Sequence, residues 1–467
     1  MSNTVEYSEF LSRKTHLTDQ AGFKPLFLPD YLFPFQRALV EWAVRKGRAA
    51  IFADCGLGKT PMQLVWAQNV VEKTCKPVLV LTPLSVGAQT VREGHKFGIE
   101  CAQSRDGSIA APITVTNYQQ LHKFDWQKFG GVVCDESSIL KNFDGQIKQQ
   151  VTDFMRKLPY RLLCTATAAP NDYIELGTSS EALGHLGFMD MLSRFFKQDN
   201  SISFAATERL DRDGRAAVGG FGKYRFRGHS QQDFWRWVCS WARACRKPSD
   251  IGFSDDGYSL PALITKEHIV AAKTSNPDFL FDLPAVGLAE QRSERRRTIR
   301  ERCELAASLI VDTGKPAVAW CHLNEEGKLL KKLIPAAVEV DGSNSDDFKE
   351  EAFEAFQRGE IRVLVSKAVI AGYGLNWQHC AHQTSFPSHS FEQWYQAIRR
   401  FWRFGQTQPV RADVIASEGE AGVLANLNRK ARQAEAMFAR LVELIGNELS
   451  IEASNAHTKK EEVPAWL

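Results

Sequence analysis

Short apolar runs alternate with polar, helix-patterned stretches through the first half of the chain: "RAAIFAD", "KPVLVLTP", "PITVTNY", "GGVVCDE" and "YRLLCTAT". Near-continuous Val, Ile and Leu in such short runs predicts strands buried on both faces, the pattern of a parallel sheet lying between helices. The rhythm returns after about residue 286 with "KPAVAWCH", "AAVEVDG", "IRVLVSK", "AHQTSF" and "VRADVIAS", spaced by amphipathic segments such as "DDFKEEAFEAFQRG". The fold class predicted is α/β, as two parallel-sheet lobes in tandem.

Residues 181–285 break that rhythm with "AAVGGFGKYRFRG", the aromatic run "DFWRWVCSWARACRK" and the polar loop "PSDIGFSDDGYSLP". They predict an inserted or connecting, mainly helical subdomain. The organisation expected is an N-terminal segment 1–22, a first lobe 23–180, the connecting subdomain 181–285, a second lobe 286–447 and a polar tail 448–467. Within the aromatic run, Phe234, Trp237 and Trp241 recur at i, i+3 and i+7, the spacing of a buried stripe. "EQRSERRRTIRERCE" carries glutamates among its arginines at helical spacing and predicts a solvated helix with internal ion pairs.

Composition narrows the class. With 467 residues, 44% hydrophobic and 24% charged, the chain reads as a soluble globular protein of two or three domains. There is no apolar run of transmembrane length and no secretion-type leader, so a cytoplasmic protein with no membrane partner is expected. The ten cysteines are scattered without a C-x-x-C pair and read as reduced core residues. "HCAHQTSFPSHS" gathers His379, Cys380, His382 and His389, but strand alternation sends the first two to opposite faces, and a metal site is not expected there. A net charge of +3 is too small to argue for a polyanion partner. Residues 207–247, however, hold ten Lys/Arg against four Asp/Glu with seven aromatics interleaved. Lys223, Arg225, Arg227 and Arg236 are the candidates there for contact with a nucleic-acid backbone.

The most informative stretch is "ADCGLGKT", at the junction of the apolar run "AAIF" and a helix-patterned run. A strand, a glycine turn and then Gly58, Lys59 and Thr60 opening a helix is the arrangement that cradles phosphate. Cys55, Gly56, Leu57, Gly58 and Pro61 belong to this cradle, in which the backbone N–H groups of the loop and of the helix start at Lys59 and Thr60 face the anion, Lys59 adds charge, and the Thr60 hydroxyl is a Mg²⁺ ligand. Ala53 stands where the full pattern has glycine. Asp135 and Glu136 close the "GGVVCDE" run at the C-terminal end of a buried strand, where open α/β sheets bind ligands. There Asp135 can hold Mg²⁺ and Glu136 can activate water.

The order of these pieces resembles that of superfamily-2 helicases, and most closely the SWI/SNF-type DNA translocases; the compact build resembles the versions carried by phages and prophages. "LFPFQRALVEWAV" looks like the adenine-reading segment, with Gln36 on the base. "LTPLSVGAQ" looks like the following motif, with Thr82 and Pro83 near the DNA backbone, and Thr116 and Asn117 are expected on the nucleic acid too. "DESS" stands at the acidic box and "CTATAAPND" at the motif coupling hydrolysis to lobe movement. "SKAVIAGYGLNWQ" looks like motif V, bringing Gly374 and Asn376 to the nucleotide, and "QAIRRFWRFGQ" looks like motif VI. The departures are Arg399 in place of the usual motif VI glycine, Trp402 in place of a small or polar residue, and Ser137 and Ser138 completing the acidic box.

The resemblance implies two RecA-like lobes with ATP and Mg²⁺ between them. Arg403 would be the arginine finger, with Arg400 beside it, and the partner would be DNA, duplex favoured, together with replication or recombination proteins. The alternatives are an RNA or single-stranded DNA helicase and a catalytically silent nucleic-acid-binding scaffold. A silent scaffold is expected to lose Lys59, Asp135, Glu136 or Arg403, and all four are present.

Overall fold

The computed structural model describes residues 21–141, 145–169, 173–198, 224–228, 230–271, 288–371, 376–388 and 390–455. Two parallel sheets organise them, as the strand and helix alternation predicts. The first lobe contains β1 (Arg48–Ala53), β2 (Val78–Thr82), β3 (Cys101–Gln103), β4 (Ile113–Asn117), β5 (Gly131–Asp135) and β6 (Tyr160–Cys164). With β9 (Ala242–Cys245) they form a sheet of order β3-β4-β2-β5-β6-β1-β9, parallel throughout. In register, Ile51 lies opposite Cys164, and Asp135 lies opposite the same Cys164 on the other side of β6. The ends of β1 and β5 thereby share one edge, two strands apart.

The second sheet has the order β10-β15-β14-β11-β13-β12, formed by β10 (Leu263–Val270), β11 (Ala317–Cys321), β12 (Ala337–Val340), β13 (Val363–Lys367), β14 (His382–Ser385) and β15 (Val410–Ser417). Each sheet has an apolar layer on either face. Leu79, Leu81 and Val132 are buried on one side of the first, and Val78, Val80 and Val133 on the other. This is why the strands read as continuous apolar runs rather than alternating ones.

The described residues of the stretch 181–285 do not form a separate body between the lobes. Its described residues give β9 to the first sheet and β10 to the second, and a small antiparallel pair, β7 (Phe196–Gln198) with β8 (Tyr224–Phe226), packs onto lobe one. The reason is the aromatic stripe. Phe234, Trp237 and Trp241 on helix Ser230–Trp241 are buried with Phe195, Leu163 and Phe52 in the lobe-one core.

Seven helices matter for the site: α1 (Pro34–Lys46), α2 (Lys59–Thr74), α3 (Ser230–Trp241), α4 (Leu288–Arg297), α5 (Ile299–Thr313), α6 (Phe391–Ile398) and α7 (Ala421–Asn455). Helix α7 starts at the lobe-two sheet and returns to lobe one, where Phe438 and Leu441 are buried in the same cluster as Trp237. It continues through Asn455, past the expected start of a polar tail at 448; residues 1–20 and 456–467 lie outside the described residues.

The solvated-helix expectation for 290–304 holds for Arg300, paired with Glu304, and fails for Arg295 and Arg302. Arg295 is buried against Glu420 and donates to the Pro387 carbonyl, while Arg302 is buried against Glu326. These partners are distant in sequence, so helical spacing pointed to the wrong carboxylates.

Candidate active site

The loop leaving β1 is shaped by two glycines. Gly56 and Gly58 have φ of +91° and +74°, a region open to glycine at little cost. Space forbids a side chain as well. A Cβ on Gly56 would lie 2.6 Å from the Phe404 nitrogen, and one on Gly58 would lie 2.3 Å from Nε2 of Gln36. Gln36 is built into the loop, since its Nε2 donates to the Leu57 carbonyl at 2.9 Å and its Oε1 accepts from Phe33 N–H. Lys59 and Thr60 follow at the start of α2, with Pro61 buried behind them. The Lys59 ammonium donates to the Ala53 carbonyl at 3.0 Å, across the mouth of the loop. Burial alone would lower its pKa, but Cys55, Glu136, Asp135 and Asp54 around it outweigh burial and raise it, so lysine stays charged.

At the end of β5 two carboxyls are buried side by side. Burial, then the proximity of Glu136, pushes Asp135 up to about 6, with Gln63 and Lys59 opposing. Gln63 Nε2 donates to Asp135 Oδ1 at 2.6 Å. Glu136 has φ +50°, a left-handed backbone unusual for a residue with a Cβ, which turns its side chain out of the strand direction. Its Oε2 accepts from Thr165 Oγ1 at 3.3 Å and from Gln396 Nε2 at 3.4 Å. Gln396 belongs to the other lobe, on α6.

The second lobe brings three arginines to this seam. Arg400 is buried and donates through Nε to the Gln396 carbonyl at 3.0 Å and through Nη2 to Gln396 Oε1 at 2.9 Å. It therefore holds the glutamine that touches Glu136. Arg403 is half-buried with its Cβ beside Gly56, and desolvation lowers its pKa against the opposing pull of Cys55, Glu93 and Glu136. Arg399 forms an ion pair with Asp54, between β1 and Cys55. Lys59, Thr60, Asp135, Glu136, Arg400 and Arg403 are thus gathered around one seam.

Other candidates are placed differently. Thr82, Thr116 and Asn117 are buried, with Thr82 Oγ1 donating to the Thr116 carbonyl and Asn117 accepting from Gln120 N–H, so they serve the local fold. Pro83 instead lines an open cleft of about 540 Å³ between the lobes, together with Tyr118, Glu136, Lys141 and Lys349. Arg225, Arg227 and Arg236 are exposed on lobe one, away from the seam, and Arg236 lies 3.8 Å from Asp233. Asn376 is half-buried ahead of β14. Gly374, its neighbour Gly372, and Lys223 lie outside the described residues. Gln63, Gln396 and Asp54 were not singled out from sequence. Asp54 belongs to the ADCGLGKT stretch and Gln396 opens the motif VI-like stretch, so position along the chain is a signal for two of the three.

No family model matches the sequence, and no curated protein matches it. Solved structures do. The structure of S. cerevisiae Dbp5 bound to RNA and ADP BeF3 matches at 12% identity over 88% of this chain and 98% of that one, with a TM-score of 0.53. A point variant of Dbp5, also bound to RNA and ADP BeF3, gives 0.52 at the same identity. The fold is that of a helicase core. The Sulfolobus solfataricus SWI2/SNF2 ATPase core in complex with dsDNA is similar at 18% identity over 86% of this chain and 90% of that one, with a TM-score of 0.39. In this helicase-core fold the gathered residues occupy the C-terminal edge of the first sheet, where it faces the second lobe. Among the described residues no helix is long and apolar enough to cross a membrane.

Proposed function

We propose that the chain is an ATP-driven nucleic-acid motor that hydrolyses ATP in the seam between its lobes and moves along or remodels duplex DNA. The observation that carries this reading is the contact of Gln396 with Glu136 across the seam, with Lys59 on one side and Arg403 on the other. A loop that cradles phosphate, an acid that can activate water and a cation from the opposing lobe are the three parts that phosphoryl transfer to water needs.

In this reading the loop N–H groups of 55–60 and the Lys59 ammonium take the phosphates, and Gln36 reads the base. Glu136 orients the attacking water and accepts its proton, while Arg403 neutralises charge on the transferring phosphoryl group. Arg400 positions Gln396 and through it Glu136. Thr60 and Asp135 would hold Mg²⁺. They supply hard oxygen donors, and the carboxyl pair, with Asp135 pushed up to about 6, is a site where a divalent cation relieves repulsion between neighbouring charges. When bound, the metal ion supplies charge neutralisation on the phosphates. Exposed Arg225, Arg227 and Arg236, with Pro83 at the cleft rim, are the surface assigned to the nucleic-acid backbone.

The test is ATP turnover against duplex DNA, single-stranded DNA and RNA, with Lys59→Ala as control. Duplex DNA should stimulate most and the control should be inactive. Strongest stimulation by RNA or by single strands would move the substrate to that class. No turnover with any of them would sink the motor reading in favour of a silent scaffold.

A further inference from the structure

Arg399 stands where the resemblance leads one to expect glycine, and its side chain crosses the seam. Its Nη2 donates to Asp54 Oδ2, with both residues about 5% exposed. One helical turn earlier on α6, the Tyr395 hydroxyl donates to the other oxygen, Oδ1, at 2.5 Å. The same Oδ1 accepts the backbone N–H of Cys55 at 2.7 Å. One carboxylate thus ties down the start of the phosphate-cradling loop while two donors of lobe two grip it. The guanidinium is itself placed: it lies 4.4 Å from the Trp402 ring centroid and 5.1 Å from that of Tyr395, and its Nη1 donates to the Trp402 carbonyl at 3.2 Å.

Apolar contact between the lobes near this point comes from Tyr258, packed on Phe35 of lobe one, stacking on Phe404 of lobe two at 4.7 Å. Asp54, Tyr395 and Arg399 line a cavity of about 630 Å³ shared with Tyr258, Trp402 and Phe438. On the far side of the seam the lobes are also joined by two exposed, individually weak ion pairs, Arg92 with Glu354 and Arg105 with Glu350, and by Lys141 paired with the buried Glu392. A buried, doubly hydrogen-bonded carboxylate and guanidinium is different in kind, because removing either partner leaves the other charge uncompensated in the closed form.

We propose that Asp54, Arg399 and Tyr395 form a latch that holds the lobes closed and, through the Cys55 N–H, sets the shape of the phosphate-cradling loop, with Arg399 and Tyr395 as positioning residues. The inference rests on the nucleotide reading for what fills the loop. Closure does not depend on that reading. Without the latch, bound ATP must supply the closure that the ion pair otherwise provides, so apparent affinity falls while turnover at saturation is kept.

The experiment compares wild type, Arg399→Gln, Arg399→Lys, Asp54→Asn, Tyr395→Phe and the Arg399→Gln/Asp54→Asn double variant. Nucleotide-free protein is measured by small-angle X-ray scattering, and KM and kcat for ATP are measured with nucleic acid present. The latch predicts a larger radius of gyration for Arg399→Gln and for Asp54→Asn. It predicts KM for ATP raised about tenfold with kcat within about threefold, a double variant no worse than either single one, and partial recovery in Arg399→Lys. Unchanged scattering in both single variants, or multiplying KM effects in the double, overturns it. If the single variants do not fold, Tyr395→Phe carries the test: an unchanged radius and an unchanged KM overturn the proposal, and an increase in both supports it. Should wild type hydrolyse no ATP, the nucleotide reading fails while the scattering arm still decides the latch.

Discussion

Gln396 in lobe two donates through Nε2 to Oε2 of Glu136 in lobe one, 3.4 Å away, and its own amide oxygen is held at 2.9 Å by Arg400. Glutamine, arginine and acid form a relay of contacts across the seam, so the lobe-two pair acts on the acid as one unit.

Gln396→Ala should lower kcat about 10²-fold, the usual scale for disturbing a positioned acid-base group. Arg400→Ala should do nearly the same, and the double variant little more, because Arg400 acts through the glutamine. Steady-state turnover at saturating ATP checks this; a double variant whose losses multiply would mean Arg400 has a separate role. Arg403→Ala should lose about 10³-fold or more, as expected of a finger contributing charge at the transition state.

The raised Asp135 makes a prediction in pH. The carboxyl must be ionised to hold a cation, so kcat/KM for ATP, which reports the free protein, should fall as pH drops below about 6. Gln63 opposes the upward shift by donating to Oδ1. Gln63→Leu should therefore move the acid limb to higher pH without changing the plateau more than severalfold. A limb that stays in place would remove Asp135 as its source.

Most of the fold was readable because both sheets are buried on two faces, so strands such as Val78–Thr82 and Val363–Lys367 spell themselves as unbroken apolar runs. The glycine turn after β1 was readable because Gly56 and Gly58 answer a local backbone demand. What was not readable depends on residues far apart in sequence. Asp54 meets Arg399 across 345 positions, and the carboxylate that Arg302 pairs with is Glu326, not one on its own helix. Thr82 and Thr116 are expected on the nucleic acid, yet the strand ends bearing them are covered. The connecting region misled for a related reason: β9 is a short segment, Ala242–Cys245, with an arginine in it, and only its pairing with β1 makes it a sheet strand.

Gly56→Ala separates loop shape from loop chemistry. Its φ of +91° and the 2.6 Å approach of the Phe404 nitrogen mean that a methyl group can be accepted only if the 403–404 backbone retreats. Turnover should fall at least tenfold, because retreat withdraws Arg403. Thermal unfolding should change little by comparison, since the loop contributes few core contacts. Fluorescent nucleotide binding, turnover and melting together check this, and a variant that melts early with normal turnover would contradict it.

Asp413 offers a test of lobe two that does not involve the seam. Its side chain is buried on β15, where it accepts from His268 Nε2 at 2.7 Å, from His382 Nε2 at 2.9 Å and from Arg411 Nη2 at 3.1 Å. Burial by itself would raise its pKa, but the hydrogen bonds from His382, His268 and Arg411 overcome burial and hold the carboxyl well below the ordinary range. The folded form therefore binds this proton less readily than the unfolded chain does. The resulting stabilisation is in place above the unfolded pKa of about 3.9 and is lost as pH falls below it toward the folded value. Asp413→Asn keeps the shape and removes the charge, and should destabilise lobe two by about 3 kcal/mol at pH 7, the scale for breaking a buried charge network by removing one partner. The deficit relative to wild type should shrink as the pH is lowered through 4, because wild type loses what the variant already lacks. Urea midpoints at pH 7, 5 and 3.5 check this; a deficit that stays constant or grows on acidification would show that the carboxylate is not the source of the stability.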